Sequence, residues 1–235
     1  QRQPSIRSQY QREKEKEVNL SEYQWPRPPG FQPFEHQKST AEFLISNRKA
    51  FCFNEQGTGK TASVIWAVDY LMTLGVVKRV LVVCPLSIMQ SAWQADLFKF
   101  AVHRTVDVAH GNADKRAKII KGKAEYVIIN YDGIEIVHKE LMEAKFDLIV
   151  CDEASALKNP QTKRWKLMNQ LIRPETWLWL MTGTPAAQSP DEAYGLAKLV
   201  DSILLGLVYR LWPNDGDLHC SYLSWSYNSP ADHVY

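Results

Sequence analysis

From Ala50 onward, short apolar runs rich in β-branched and aromatic residues alternate with segments of helical period. The runs cover residues 50–53, 80–84, 105–109, 126–129, 148–151 and 177–181, giving six strand candidates. Between them, residues 61–74 place Val64, Ile65, Val68, Leu71 and Met72 on one helical face and stop at Gly75, a natural C-terminal cap. Residues 91–100 repeat the pattern with Trp93 and Leu97, and residues 162–172 with Trp165, Met168 and Leu171. Another amphipathic helix runs to Ile45, and a last one, 190–200, opens with Ser189, Pro190 and Glu192 in the order of a capping box. Strands that are apolar throughout and alternate with helices imply an α/β domain, its mostly parallel sheet covered by helices on both faces. In such a sheet, ligands bind at the carboxyl ends of the strands.

The flanks read differently. Residues 1–20 are dominated by Gln, Arg, Lys and Glu and are read as a flexible charged tail. The stretch Trp25-Pro26-Arg27-Pro28-Pro29-Gly30 is extended and suited to packing its aromatics onto the domain that begins near residue 21. Residues 202–235 carry Trp and Tyr without a clean period and are read as an irregular or divergent end to a domain closing at 201. The chain starts at Gln1, not Met, and is expected to be a fragment, or a processed or partial reading frame.

Composition adds limits. With 45% hydrophobic and 23% charged residues, the 235-residue chain has the make-up of an ordinary globular protein with one sizeable core. A net charge of only +2 means that any nucleic-acid surface is local. The four cysteines form no CxxC pair, and those in apolar runs are expected to be reduced and buried. No apolar stretch approaches the roughly 20 residues of a membrane helix, so no membrane partner and an intracellular location are expected, cytoplasmic in a bacterium or phage host and nuclear in a eukaryote.

Directly after the first strand comes Asn54-Glu55-Gln56-Gly57-Thr58-Gly59-Lys60-Thr61, followed by a helix. Gly57 and Gly59 let the backbone curl so that N–H groups, Thr58 included, point inward to phosphate, reinforced by the helix dipole. Lys60 would reach the β- and γ-phosphates of ATP, and the Thr61 hydroxyl would bind Mg²⁺. The strict phosphate-loop pattern asks for Gly at position 54, which is Asn54 here, so the match points to a subclass. A chance glycine turn is the plain alternative, and the strand before and helix after argue against it. A second acidic element is required because Mg²⁺ prefers hard oxygen ligands. The run Phe146-Asp147-Leu148-Ile149-Val150-Cys151-Asp152-Glu153 supplies it, with Asp152 toward Mg²⁺ and Glu153 toward the attacking water.

With both halves in view, residues 31–201 resemble the superfamily 2 helicases, and within them the Swi/Snf-type DNA translocases with their phage and bacterial relatives. The loop at 54–61 resembles motif I of that family, and Asp152-Glu153-Ala154-Ser155-Ala156-Leu157-Lys158-Asn159 resembles motif II. Met181-Thr182-Gly183-Thr184-Pro185 resembles motif III, implying that Thr182 and Thr184 couple hydrolysis to nucleic acid. Phe34-Glu35-His36-Gln37 resembles the adenine-recognition segment, with Gln37 reading adenine through its amide. Cys84-Pro85-Leu86-Ser87 and Asn130-Tyr131-Asp132 resemble motifs Ia and Ib, implying backbone contacts from Ser87 and Tyr131. Trp93 is expected in the core, and Lys158, Lys163, Arg164 and Lys166 are either DNA-facing or simply solvated.

The resemblance implies the RecA-like phosphate-loop fold, ATP and Mg²⁺ as cofactors, and sequence-nonspecific duplex DNA as partner. It also implies a second RecA-like lobe in the full-length protein, which this chain lacks and which brings the arginine finger. Two alternatives stay open: an isolated nucleotide- and DNA-binding module without significant turnover, and a phosphate-loop NTPase indifferent to DNA.

Overall fold

Alternating side chains of each strand feed two separate cores. Val80, Val82, Cys84, Ile128, Val150 and Trp179 face one layer, while Leu81, Val83, Ile129, Ile149, Cys151 and Leu178 face the other. A strand apolar on both faces is stable only when both are covered. In the computed structural model of the protein, the described residues are 20–52, 58–183 and 190–200, with side chains of the last helix described from Gly195 onward.

Six parallel strands, β1 (Lys49–Cys52), β2 (Val80–Cys84), β3 (Val106–Val108), β4 (Tyr126–Asn130), β5 (Leu148–Asp152) and β6 (Trp177–Met181), form one sheet in the order β1-β6-β5-β2-β4-β3. The expected α/β class and parallel sheet are thus found. Helices α1 (Glu35–Ser46) and α2 (Lys60–Thr73) cover the first face. They are joined there by a π-helical turn at Met89–Gln94 that runs into α3 (Ala95–Phe100). The second face is covered by α4 (Ala113–Ile120), α5 (Gly133–Ile136), α6 (His138–Ala144), α7 (Lys163–Leu171) and α8 (Pro190–Val200). Three of these, α4, α5 and α6, have no counterpart among the expected helices. The Ser189 cap lies outside the described residues.

Tyr23, Trp25 and Phe31 of the lead-in dock on α2 and α3 as expected. Trp25 meets Trp66 edge-on at 5.6 Å between ring centroids, Phe31 meets Phe100 at 5.2 Å, and the Trp66 indole N–H donates to the Pro26 carbonyl at 2.7 Å. Cys52, Cys84 and Cys151 are buried and not joined in disulfides. No helix among the described residues is long and apolar enough to cross a membrane.

Candidate nucleotide site

The sheet brings the two halves of the expected site to one edge. β1 ends at the loop before α2, and β5 ends at Asp152, with only β6 between them. Two strand spacings put the tips about 10 Å apart, the reach of a nucleotide's phosphates and a cation. Gly59 caps α2 in the left-handed conformation, φ 76°. The positive φ favours glycine, and a β-carbon at that position would also force the Gln37 amide to shift. Gly57 lies outside the described residues. Lys60 and Thr61 open α2, half-buried.

Gln37 is 3% exposed. Its Oε1 accepts from Phe34 N at 3.0 Å, closing the start of α1, and its Nε2 donates to the Thr58 carbonyl at 3.3 Å. His36 Nε2 lies 3.0 Å from the same carbonyl. The segment expected to recognise adenine is therefore bonded directly to Thr58 of the loop before α2, a contact not anticipated from sequence. These bonds use one of the two N–H groups and one of the two oxygen lone pairs of the Gln37 amide.

Asp152 is 8% exposed. Its Oδ2 accepts from the Trp93 indole N–H at 2.8 Å and its Oδ1 from Glu153 N at 2.9 Å. Burial pushes the carboxyl up from its ordinary value, while the Trp93 and Glu153 donors and the Lys60 ammonium pull it down. The upward pull wins, so the carboxylate is short of positive charge. Glu153 follows with φ 51°, a left-handed geometry that costs a non-glycine residue of order 1 kcal/mol or more. Ser155 Oγ reaches back to the Glu153 carbonyl at 3.5 Å.

These groups fit a Mg²⁺ held mainly by phosphates. Such an ion takes one or two protein carboxylates and completes its shell with substrate oxygen and water. No cluster of three or more His, Cys, Asp or Glu that could cage a metal occurs among the described residues. A buried, undercompensated carboxylate within reach of the Lys60 charge, with the Thr61 hydroxyl at the start of α2, suits a cation that arrives with its ligand.

The expected nucleic-acid residues separate. Ser87 is exposed on the turn after β2. Tyr131 is only 6% exposed and its hydroxyl donates to the Asp152 carbonyl at 2.7 Å, so it faces inward instead of toward a phosphate. Thr182 is 1% exposed, its N–H donating to the Cys52 carbonyl at 3.2 Å; Thr184 lies outside the described residues. In the basic cluster, Lys163 pairs with Glu135 and Arg164 with Asp132, both at 2.6 Å, while Lys158 and Lys166 are exposed.

Residues 36–214 match the SNF2-related domain. The chain belongs to that family. It is similar to the ATP-dependent helicase YqhH of Bacillus subtilis, 27% identical over 183 residues, covering 76% of this chain and 31% of the relative. It is also similar to the DNA repair and recombination protein RAD54B of Gallus gallus, 27% identical over 73% of this chain and 20% of that one. Among solved structures, the Sulfolobus solfataricus SWI2/SNF2 ATPase core in complex with dsDNA matches with a TM-score of 0.67 and 26% identity, over 78% of this chain and 39% of that chain. The sheet described above is thus the RecA-like core of an SNF2-related domain. The chain spans about a third or less of the two curated relatives.

Proposed function

We propose that this SNF2-related lobe binds Mg-ATP between the loop after β1 and the tip of β5, and that the full-length protein couples its hydrolysis to translocation on, or remodelling of, duplex DNA. The observation that carries the reading is the buried Asp152 carboxylate, held in place by hydrogen bonds yet short of positive charge, with the Lys60 ammonium near enough to act on it. In this reading, the N–H groups of the loop and the α2 dipole hold the phosphates and Lys60 spans the β and γ positions. Thr61 and Asp152 would hold Mg²⁺, which when bound neutralises charge on those phosphates. Glu153 takes a proton from, or orients, the attacking water. Gln37 offers its remaining amide valences to adenine. Ser87 offers a hydroxyl to the DNA backbone, and the segment holding Thr182 and Thr184 couples hydrolysis to nucleic acid. The DNA-bound state of the archaeal relative supports duplex DNA as the partner.

A second reading, in which this stretch alone binds nucleotide and DNA with little turnover, is favoured by the arginines. At the carboxyl edge, Arg116 is spent on the Ala109 and Gly111 carbonyls and Asn130, and Arg164 on Asp132. Transition-state charge would then need an arginine from the second lobe. In the full-length protein, Lys60→Ala and Glu153→Gln should each lower DNA-stimulated kcat by at least about 100-fold. Retention of stimulated hydrolysis in Lys60→Ala would defeat the motor reading. Binding of ATP by the 235-residue chain without DNA-stimulated turnover would support the second.

A further inference from the structure

Two buried donors from two different loops converge on one residue. The Trp93 indole reaches the Asp152 carboxylate from the π-helical turn after β2, and the Tyr131 hydroxyl reaches the Asp152 main-chain carbonyl from the loop after β4. Both side chains are buried, Trp93 completely. A tryptophan buried only for packing still needs a partner for its N–H, and a main-chain carbonyl usually suffices. Trp66, Trp165 and Trp179 follow that rule, donating to Pro26, Gly195 and Asn47 carbonyls. Trp93 instead donates to a carboxylate that burial already disfavours. The π-turn that carries it is a rare form, frequent at functional sites. It continues directly from the turn bearing exposed Leu86 and Ser87. On the other side, the Tyr131 ring lies under the Arg164 guanidinium at 5.6 Å, and Arg164 pairs with exposed Asp132 of the same loop.

We propose that Trp93 and Tyr131 are positioning residues that fix Asp152 and link the loops after β2 and β4 to it, so that DNA held by those loops changes the affinity for Mg-nucleotide within this one lobe. The inference rests on Asp152 being the metal-side carboxylate. Trp93 orients the charged oxygen, and Tyr131 anchors the main chain just ahead of the strained Glu153. A ligand that shifts either loop shifts a donor on Asp152, and by linkage Mg-nucleotide in turn changes DNA affinity by the same factor. Neither residue needs to touch DNA or phosphate.

The test is equilibrium binding of a fluorescent ATP analogue to the 235-residue chain, in Mg²⁺ and in EDTA, with and without a duplex oligonucleotide. Wild type should bind more tightly in Mg²⁺ than in EDTA. Trp93→Phe should weaken binding in Mg²⁺ by between about 10- and 100-fold, the usual cost of losing a group that orients a metal ligand, and leave the EDTA value within about twofold. Tyr131→Phe, which keeps the ring and so covers the case in which Trp93→Phe does not fold, should abolish the effect of duplex on analogue affinity, which in wild type should be about fivefold or more. A folded Trp93→Phe with an unchanged Mg²⁺ increment, or a Tyr131→Phe that keeps the duplex effect, overturns the proposal. Wild type that binds equally in Mg²⁺ and EDTA would sink the underlying reading of Asp152, and a wild-type Mg²⁺ increment without any duplex effect would sink the coupling alone.

Discussion

Among the described residues two aspartates are buried, and they are compensated in opposite ways. Asp69, on α2 and 2% exposed, accepts from Arg104 Nε at 2.7 Å, from the Tyr23 hydroxyl at 2.6 Å, and lies 2.8 Å from His103 Nε2. Arg104 continues to Glu125 at 3.0 Å, and Glu125 in turn accepts from the Thr105 main chain and hydroxyl. That network ties the lead-in, α2 and the entry to β3 into one unit. Among the described residues Asp152 has only neutral donors in contact, with the Lys60 charge acting from farther off. A buried carboxylate with a full set of cationic and hydroxyl partners is a structural joint. One held in place yet left short of charge fits the proposed cation site.

The strongest way to break this contrast is to remove each charge in turn. Asp69→Asn strands Arg104 beside a neutral amide and should cost about 3 kcal/mol, lowering the melting temperature by on the order of 10 °C by calorimetry. Tyr23→Phe removes one donor to the same carboxylate and should cost about 1.5 kcal/mol, detectable as a smaller drop in the same scan and as earlier proteolysis of the lead-in. Asp152→Asn should behave in the opposite sense: without ligand, the chain should melt no lower than wild type, because burial already favours the uncharged form. A loss as large as that of Asp69→Asn would erase the distinction. Lys163→Ala cuts only an exposed pair with Glu135 and should change stability by less than about 0.5 kcal/mol.

Acid should pick out the Asp69 side. Burial raises the Glu125 carboxyl, but the Thr105 N–H, Arg104 and the Thr105 hydroxyl together hold it below the ordinary carboxylate value. Protonation therefore favours the unfolded chain. The contribution is complete above roughly pH 5, where an unfolded glutamate is ionised, and is lost as pH falls through the lowered folded value. Glu125→Gln should flatten that part of the stability profile between about pH 5 and pH 2.

Much of this was legible in the order of residues because the sheet is covered on both faces. Apolar runs mark β2, β4, β5 and β6 almost to the residue, and a glycine-rich loop and an Asp-Glu pair each sit at a strand end. The edge strand β3 is shorter than the 105–109 run, half-exposed over Val106–Val108, because only β4 pairs with it. Helices α4 and α6 escaped notice because each buries so little: Arg116 and Ile120 in one, Leu141 in the other. Asp69 interrupts an otherwise apolar helix face, and its partners lie 34 to 46 residues away. No local period encodes such a bond. The same holds for Trp93, 59 residues from Asp152: its spacing marks it as core, while its N–H partner is fixed only by the strand order that sets β2 beside β5.

The central claim is that Asp152 is completed by a cation bound with nucleotide. The direct measurement is the melting temperature of wild type and Asp152→Asn with ATP in Mg²⁺ and with ATP in EDTA. At ligand about 100-fold above Kd, binding adds about 2.7 kcal/mol. Wild type should therefore melt several degrees higher in Mg²⁺ than in EDTA, and Asp152→Asn should melt alike in both. An Asp152→Asn chain that keeps the full Mg²⁺-dependent rise would contradict the account.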